Sequence, residues 1–240
     1  MPIVLTQPVE EAINDAGPRL KKFTLTECRA IAESGVIDVG PLELIEGDIL
    51  VKHTPVGPQR RLWTVDEIEA LREAGALDVE RLELVDGELY DKMGKNQPHV
   101  IGQHMIARVL FEAFGIDHVA IEGPIAVAER DRASSDPVPD ILVTRLKLES
   151  YLNVPRPEDV CLIVEVSDTT LRYDLRTKAA LYARAGIIEY WVADLNKRAL
   201  VVHRKPEEGG YASVVSYSAE ESVSPLAAPG ATVLVRSLFL

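Results

Sequence analysis

The amino-acid sequence predicts a mixed α/β fold of the α+β kind, a sheet with strands in both directions, flanked by helices and preceded by an extra helix-hairpin repeat. Three observations predict it. The first hundred residues carry one pattern twice, with a period of 40. A single long helical periodicity follows. The rest of the 240-residue chain consists of short apolar runs of strand length, interrupted by one amphipathic helix.

In the repeat, Thr24-Leu25-Thr26-Glu27 through Glu43-Leu44-Ile45-Glu46-Gly47-Asp48 matches Thr64-Val65-Asp66-Glu67 through Glu83-Leu84-Val85-Asp86-Gly87-Glu88. Each copy reads as a capped helix, opened by Thr24 or Thr64 and stopped by Gly35 or Gly75. An alternating segment then turns at an acidic-Gly pair into a hairpin. Two copies are too few for a solenoid, so a duplicated edge element is expected. Pro55, Gly57 and Pro58 part them, which places a boundary near residue 58, between an amino-terminal element (1–58) without its own site and a main domain (59–240).

After the second copy, Val100, Ile101, His104, Met105, Val109 and Leu110 recur at helical spacing and predict a helix over 98–114. Strands are expected over 118–122 and 125–127, a loop over 129–137, then strands over 138–143 and 161–166. A helix over 174–185 stops at Gly186, and strands follow over 189–193, 199–204 and 212–217. The apolar segment 231–240 closes the chain, and an edge strand there, like the extra repeat, could support a homodimer.

Composition narrows the function. With 47% hydrophobic residues the chain can bury one substantial core. No stretch approaches the ~20 apolar residues of a membrane span, and the amino terminus lacks a signal pattern, so a soluble cytoplasmic protein is expected. Cys28 and Cys161 fit neither a disulfide framework nor a zinc site. A net charge of −12 opposes nucleic-acid binding in general, yet residues 130–205 hold 13 basic against 11 acidic residues. The acidity sits in the flanks, which leaves room for a local phosphate-binding surface.

The chemistry concentrates in three residues. Cys161-Leu162-Ile163-Val164-Glu165-Val166-Ser167 is apolar on both faces up to Glu165, as in a central strand covered on both sides. An ionised carboxylate buried there needs a proton, a cation or a metal. Asp140 adds a second acid on the short run Val138-Pro139-Asp140-Ile141-Leu142-Val143. Two carboxylates with Mg²⁺ or Mn²⁺ are a common means of polarising a phosphodiester and acidifying an attacking water. At about 100° per residue, Leu171, Leu175, Lys178, Ala179, Leu181, Tyr182 and Ala185 share one face of the next helix. Lys178 therefore faces inward and must either snorkel to solvent or pair with a buried anion, of which Glu165 and Asp140 are nearest. Asp174, one turn earlier, is a rival partner for it.

These motifs resemble the Uma-two family of restriction endonucleases (domain of unknown function 820), a branch of the PD-(D/E)XK nuclease superfamily. The resemblance runs from Thr64 to the carboxyl terminus. It rests on Glu83-Leu84-Val85-Asp86-Gly87-Glu88 with His99, Pro139-Asp140, Ile163-Val164-Glu165-Val166-Ser167, Tyr173-Asp174-Leu175 with Lys178 and Tyr182, and Glu189-Tyr190-Trp191-Val192. It implies a restriction-endonuclease-like fold in which Asp140 and Glu165 bind metal, the Val166 carbonyl completes the coordination, and Glu88 supplies a further contact. The lysine that the superfamily places two residues after the second acid is here Ser167, so Lys178 would replace it from the helix.

Blander readings stand beside these. Asp140 has a second reading as a turn cap after Pro139 and Glu165 one as the partner of an arginine such as Arg145, both weaker than the joint site, whereas Glu88 reads equally as a solvated turn residue. His99 and His104 are spaced five apart, wrong for zinc on one helical face, though His99 stands where a helix start could approach the site. Tyr190 and Trp191 read as core. No GxxxxGK[ST], GxGxxG or GxSxG occurs. The expected function is that of a Mg²⁺- or Mn²⁺-dependent hydrolase cutting DNA, and the alternative is an inactive relative that binds or assembles. A glycosidase pair of acids is a third reading, poorly served by a chain that is 5% aromatic.

Overall fold

The computed structural model describes residues 3–4, 17–92, 94 and 96–239. It divides into two compact units, one of Pro18–Gly94 with Glu129–Pro137, the other of Met1–Gly17, Lys95–Ala128 and Val138–Leu240. Strand β1 (Ile3–Val4) opens the chain and belongs to the larger unit.

The smaller unit contains β2 (Arg19–Leu20), then α1 (Leu25–Ser34), β3 (Leu42–Ile45), β4 (Asp48–Val51) and β5 (Gln59–Arg60), then α2 (Val65–Glu73), β6 (Leu82–Val85) and β7 (Glu88–Asp91). Both helices open in a capping box. Thr24 and Thr64 accept from the backbone of Glu27 and Glu67, whose side chains reach back to the cap. Both hairpins turn through two residues of positive φ, Glu46-Gly47 (50° and 84°) and Asp86-Gly87 (51° and 80°). That is the primed turn whose twist suits paired strands, and it explains the acidic-Gly signature. The strands form two three-stranded sheets, β3-β4-β5 and β2-β7-β6.

The boundary expected near residue 58 is corrected by the packing. Phe23, Ile31, Ile37 and Ile49 from the first copy share one cluster with Trp63, Leu71, Leu77, Leu84 and Leu89 from the second. Phe23 and Trp63 stack with ring centroids 5.4 Å apart. A single helix and hairpin is too small to bury a core, so the two copies build one together.

The larger unit continues with α3 (Gln97–Phe114), β8 (Val119–Ile121), β9 (Ile141–Thr144) and β10 (Val160–Ser167). Helix α4 spans 171–184. It comprises α-helical Leu171–Tyr173, a π turn over Asp174–Lys178 and α-helical Ala179–Arg184. Strands β11 (Glu189–Asp194), β12 (Ala199–Glu207), β13 (Gly210–Tyr217), β14 (Ser222–Val223) and β15 (Val233–Leu234) follow. Seven strands lie in the order β1-β13-β12-β11-β10-β9-β8. The central neighbours β10 and β11 are parallel and are joined through α4, while their flanking pairs β9–β10 and β11–β12 are antiparallel.

Helices cover both faces of β10. Ile106, Ala107 and Leu110 of α3 cluster with Val164, Val166 and Trp191. Leu171, Ala179 and Tyr182 of α4 cluster with Ile163, Tyr190 and Val192 on the opposite face. Every residue of β10 is buried. Two expected strands are corrected. Ile125 and Val127 are buried but lie outside any strand, and β9 starts at Ile141 because Pro139 has no N–H for the ladder. In the closing segment, β15 pairs only with the two residues of β14. A 3₁₀ turn (Val235–Leu238) then buries Val235, Leu238 and Phe239 in the core, and Leu240 lies outside the described residues. No described helix is long and apolar enough to cross a membrane.

Gly102 sets how closely α3 approaches β10. A Cβ there would lie 2.8 Å from Leu195 Cδ2 and 3.2 Å from Val166 Cγ1. Gly102→Val should therefore destabilise the protein by about 1–3 kcal/mol through overpacking. Urea unfolding measures this, and an unchanged midpoint would show that the helix has room to move.

Candidate active site

Asp140 and Glu165 stand at neighbouring positions of the sheet. The ladder pairs Ile163 with Leu142 and Val164 with Ile141, and its continuation sets Glu165 beside Asp140. The Asp140 carboxylate is held twice. Oδ2 accepts from the Val166 N–H at 2.8 Å, and Oδ1 lies 3.1 Å from His99 Nε2. Its backbone carbonyl accepts from Gln103 Nε2 at 3.0 Å. Proline and burial thus leave Asp140 bonded across to the strand of Glu165 and to α3, and the turn-cap reading does not describe it.

Glu165 is 3% exposed. Its Oε1 accepts from Lys178 Nζ and from the Tyr182 hydroxyl, each at 2.9 Å. Arg145, the rival partner, instead donates from Nε to the Glu158 carbonyl. The inward face predicted for α4 is realised in Lys178 and Tyr182, and the lysine pairs with the buried glutamate. Such a pair gains little over an apolar replacement, but a lone buried charge is expensive.

Asp174 is buried one turn before Lys178. Its Oδ2 accepts from the hydroxyls of Ser167, at 2.5 Å, and Thr170, at 2.6 Å. Tyr190 donates to its carbonyl. Burial pushes its carboxyl up from 3.8 to about 6, and the charge of Asp140 adds to the rise. Lys178 and the two hydroxyls oppose it. Ser167, in the place of the superfamily lysine, is thus fully buried and turned toward Asp174.

The π turn brings these groups together. The Ala179 N–H reaches back to the Asp174 carbonyl, one residue further than in an α-helix, and Asp174 and Lys178 are both buried within the widened turn. Such turns concentrate at functional sites.

Glu88 lies in the smaller unit, where it accepts from the Tyr90 hydroxyl at 2.8 Å and from Arg60 at 3.2 Å. His104 is exposed, while Tyr190 and Trp191 are fully buried in β11. Two site residues, Gln103 and Thr170, went unread in the sequence, and a third was read without a polar role. Tyr182 was counted as an apolar residue of the stripe, although it stands four residues after Lys178. Gln103 stands four after His99, a spacing that would have flagged it, and Thr170 carries no signal of its own.

Among the described residues no group of three or more His, Cys, Asp or Glu side chains is placed to hold a metal ion. The donors expected there, the Asp140 and Glu165 carboxylates and the Val166 carbonyl, are all hard oxygen. That donor set fits Mg²⁺ or Mn²⁺, which keep several waters and need only one or two protein carboxylates. It does not fit zinc.

A mixed sheet flanked by helices, with two acids at its central strands and a lysine reaching one of them from a helix, is a fold of the restriction-endonuclease-like class. A family model described as "Putative restriction endonuclease", Uma2, matches residues 65–236, and the chain belongs to that family. Among solved structures, a crystal structure described as "a putative nuclease belonging to DUF820" from Anabaena variabilis matches with a TM-score of 0.53 and 17% identity. The match covers 73% of this chain and 97% of that one. At that identity it supports the shared fold. No curated protein matches.

Two predictions concern stability. Lys178→Met, which strands Glu165, should cost about 3–5 kcal/mol, and adding Glu165→Gln should recover most of it. Chemical denaturation of both variants measures this, and equal losses would mean the pair is not coupled. Asp174 holds its proton to about pH 6 when folded but only to about its ordinary 3.8 when unfolded. Between those values the folded state binds more protons, so this residue's contribution to stability falls as pH rises. Asp174→Asn should therefore gain relative to wild type between pH 4 and 7. Thermal melts across that range give the comparison, and a constant gap would refute a raised carboxyl.

Proposed function

We propose that this chain is a divalent-metal-dependent endonuclease that hydrolyses phosphodiester bonds of DNA, with Asp140, Glu165 and Lys178 as its catalytic residues. The observation that carries this reading is the 2.9 Å contact of Lys178 with Glu165, beside Asp140. It supplies from α4 the cation whose usual place Ser167 occupies.

Asp140, Glu165 and the Val166 carbonyl would hold Mg²⁺ or Mn²⁺, which when bound polarises the scissile phosphate and lowers the pKa of the attacking water. The remaining work falls to the protein. The Val166 N–H and His99 fix the Asp140 carboxylate, so its oxygens cannot rotate away from the position they hold. The Tyr182 hydroxyl does the same for Glu165. Lys178 is a fixed ammonium in a water-poor site, where it orients the attacking water or steadies charge on the phosphate as the bond breaks. Its worth there exceeds that of an exposed lysine, because the surroundings screen it weakly.

Supercoiled and linear DNA incubated with Mg²⁺ or Mn²⁺ test the reading. Wild type should nick or cut, and Asp140→Ala, Glu165→Ala and Lys178→Ala should each lower the rate roughly 10²–10³-fold while remaining folded by circular dichroism. Equal rates in all four would remove the site. The alternative, an inactive relative that binds or assembles, draws on the absence of a three-ligand side-chain cluster among the described residues. Calorimetric titration with Mn²⁺ separates the two. Binding lost in Asp140→Ala supports the nuclease, and no binding supports the alternative.

A further inference from the structure

The two copies of the repeat differ in what covers them. Over the second copy, residues 133–136 cross the start of α2, the hairpin tip and β6. The Val65 N–H donates to the Ala133 carbonyl at 2.9 Å, and the Gly87 N–H donates to the Ser134 carbonyl at 2.8 Å. The Asp86 N–H donates to Ser135 Oγ, also at 2.9 Å. The Asp136 N–H then donates to the Leu84 carbonyl, an antiparallel bridge on the outer edge of β6. In this copy Val85 is fully buried and Leu84 nearly so.

A shift of 40 residues carries those positions onto Leu25, Gly47, Glu46 and Leu44. Among the described residues no segment takes the corresponding place against them. Leu25 is 58% exposed and Ile45, the counterpart of Val85, is 44% exposed. An open pocket of about 130 Å³ lies beside them, lined by Cys28 and Ile31 of α1 and by Leu42 and Leu44 of β3. Strand β3 is an edge strand of its sheet, as β6 is of the other.

The charges have also changed. Asp136 is attracted by Lys92 and repelled by Glu83 and Glu69. In the first copy Lys52 stands where Lys92 does and Glu43 where Glu83 does, but Arg29 replaces Glu69. One repulsive charge has become attractive, so an acid at the place of Asp136 is better received on the first copy than on the second.

From these differences we infer that the edge of β3, with the start of α1 and the tip of the β3–β4 hairpin, is a docking site for an extended segment of another protein. That segment adds to β3 as 133–136 adds to β6, with small residues and serines over Leu25 and Gly47 and an acid facing Lys52 and Arg29. The chain's own 133–136 is not the occupant, because the second copy already holds it through four hydrogen bonds. This surface is independent of the nuclease reading.

A fluorescently labelled peptide of residues 131–137 serves as the probe, with the full chain titrated against it by fluorescence polarisation. Saturable binding is expected. Arg29→Glu combined with Lys52→Glu should weaken it roughly tenfold, as should Asp136→Lys in the peptide. No binding, or equal binding to the doubly substituted chain, would overturn the proposal. Sedimentation velocity of the full chain adds the remaining outcome: self-association abolished by the same two substitutions would make a second copy the occupant and overturn the assignment to another protein.

Discussion

A buried charge needs its partner, and the larger unit is arranged around that requirement. Glu165 sits in a strand buried along its whole length, and Lys178 reaches it from the helix that links β10 to β11. The crossover that makes those strands parallel is therefore also the element that neutralises the acid. A helix elsewhere on the sheet would leave Glu165 with a charge the interior cannot tolerate. Asp140 is tied to the same spot through the Val166 N–H, so the neighbouring antiparallel strand is committed as well.

Around the pair, polar groups are layered with little slack. Tyr182 shares the Glu165 oxygen with Lys178, and Tyr190 bonds the Asp174 carbonyl while its ring packs edge-on against Tyr182. Asp174 pulls on Ser167 and Thr170. A network of this kind specifies one arrangement of the core because each member left unmatched is costly. The small Ser167 hydroxyl serves Asp174, the buried acid of α4.

Legibility in the sequence followed the range of the interaction. Local signals read well. The capping threonines, the acidic-Gly turns, the long helix and the buried run around Glu165 all depend on residues a few positions apart, where periodicity and capping chemistry speak directly. The inward placement of Lys178 was also legible, since an apolar helical face leaves no other direction for it. Long-range facts were less so. The shared core of the two repeat copies rests on Phe23 meeting Trp63 across forty residues, and nothing in either copy alone announces it. Proline at 139 shortened β9, and the closing apolar segment pairs only with the two residues of β14 before its 3₁₀ turn enters the core. The contact between His99 and Asp140 joins residues 41 apart and was only half anticipated, from the position of the histidine at a helix start.

The π turn in α4 has a further consequence for how this stretch tolerates change. Its widened loop amounts to one surplus residue, absorbed without breaking the rod. Residues before and after it are therefore out of phase with a simple helical count. Removing one residue within Asp174–Lys178 would close the loop to an ordinary turn and leave the two halves of the helix on the bearings they now have. For this segment one residue can be lost without a change of bearing, whereas a one-residue deletion between Lys178 and Tyr182, where the helix has no surplus to give up, would swing Lys178 off the face it shares with Tyr182.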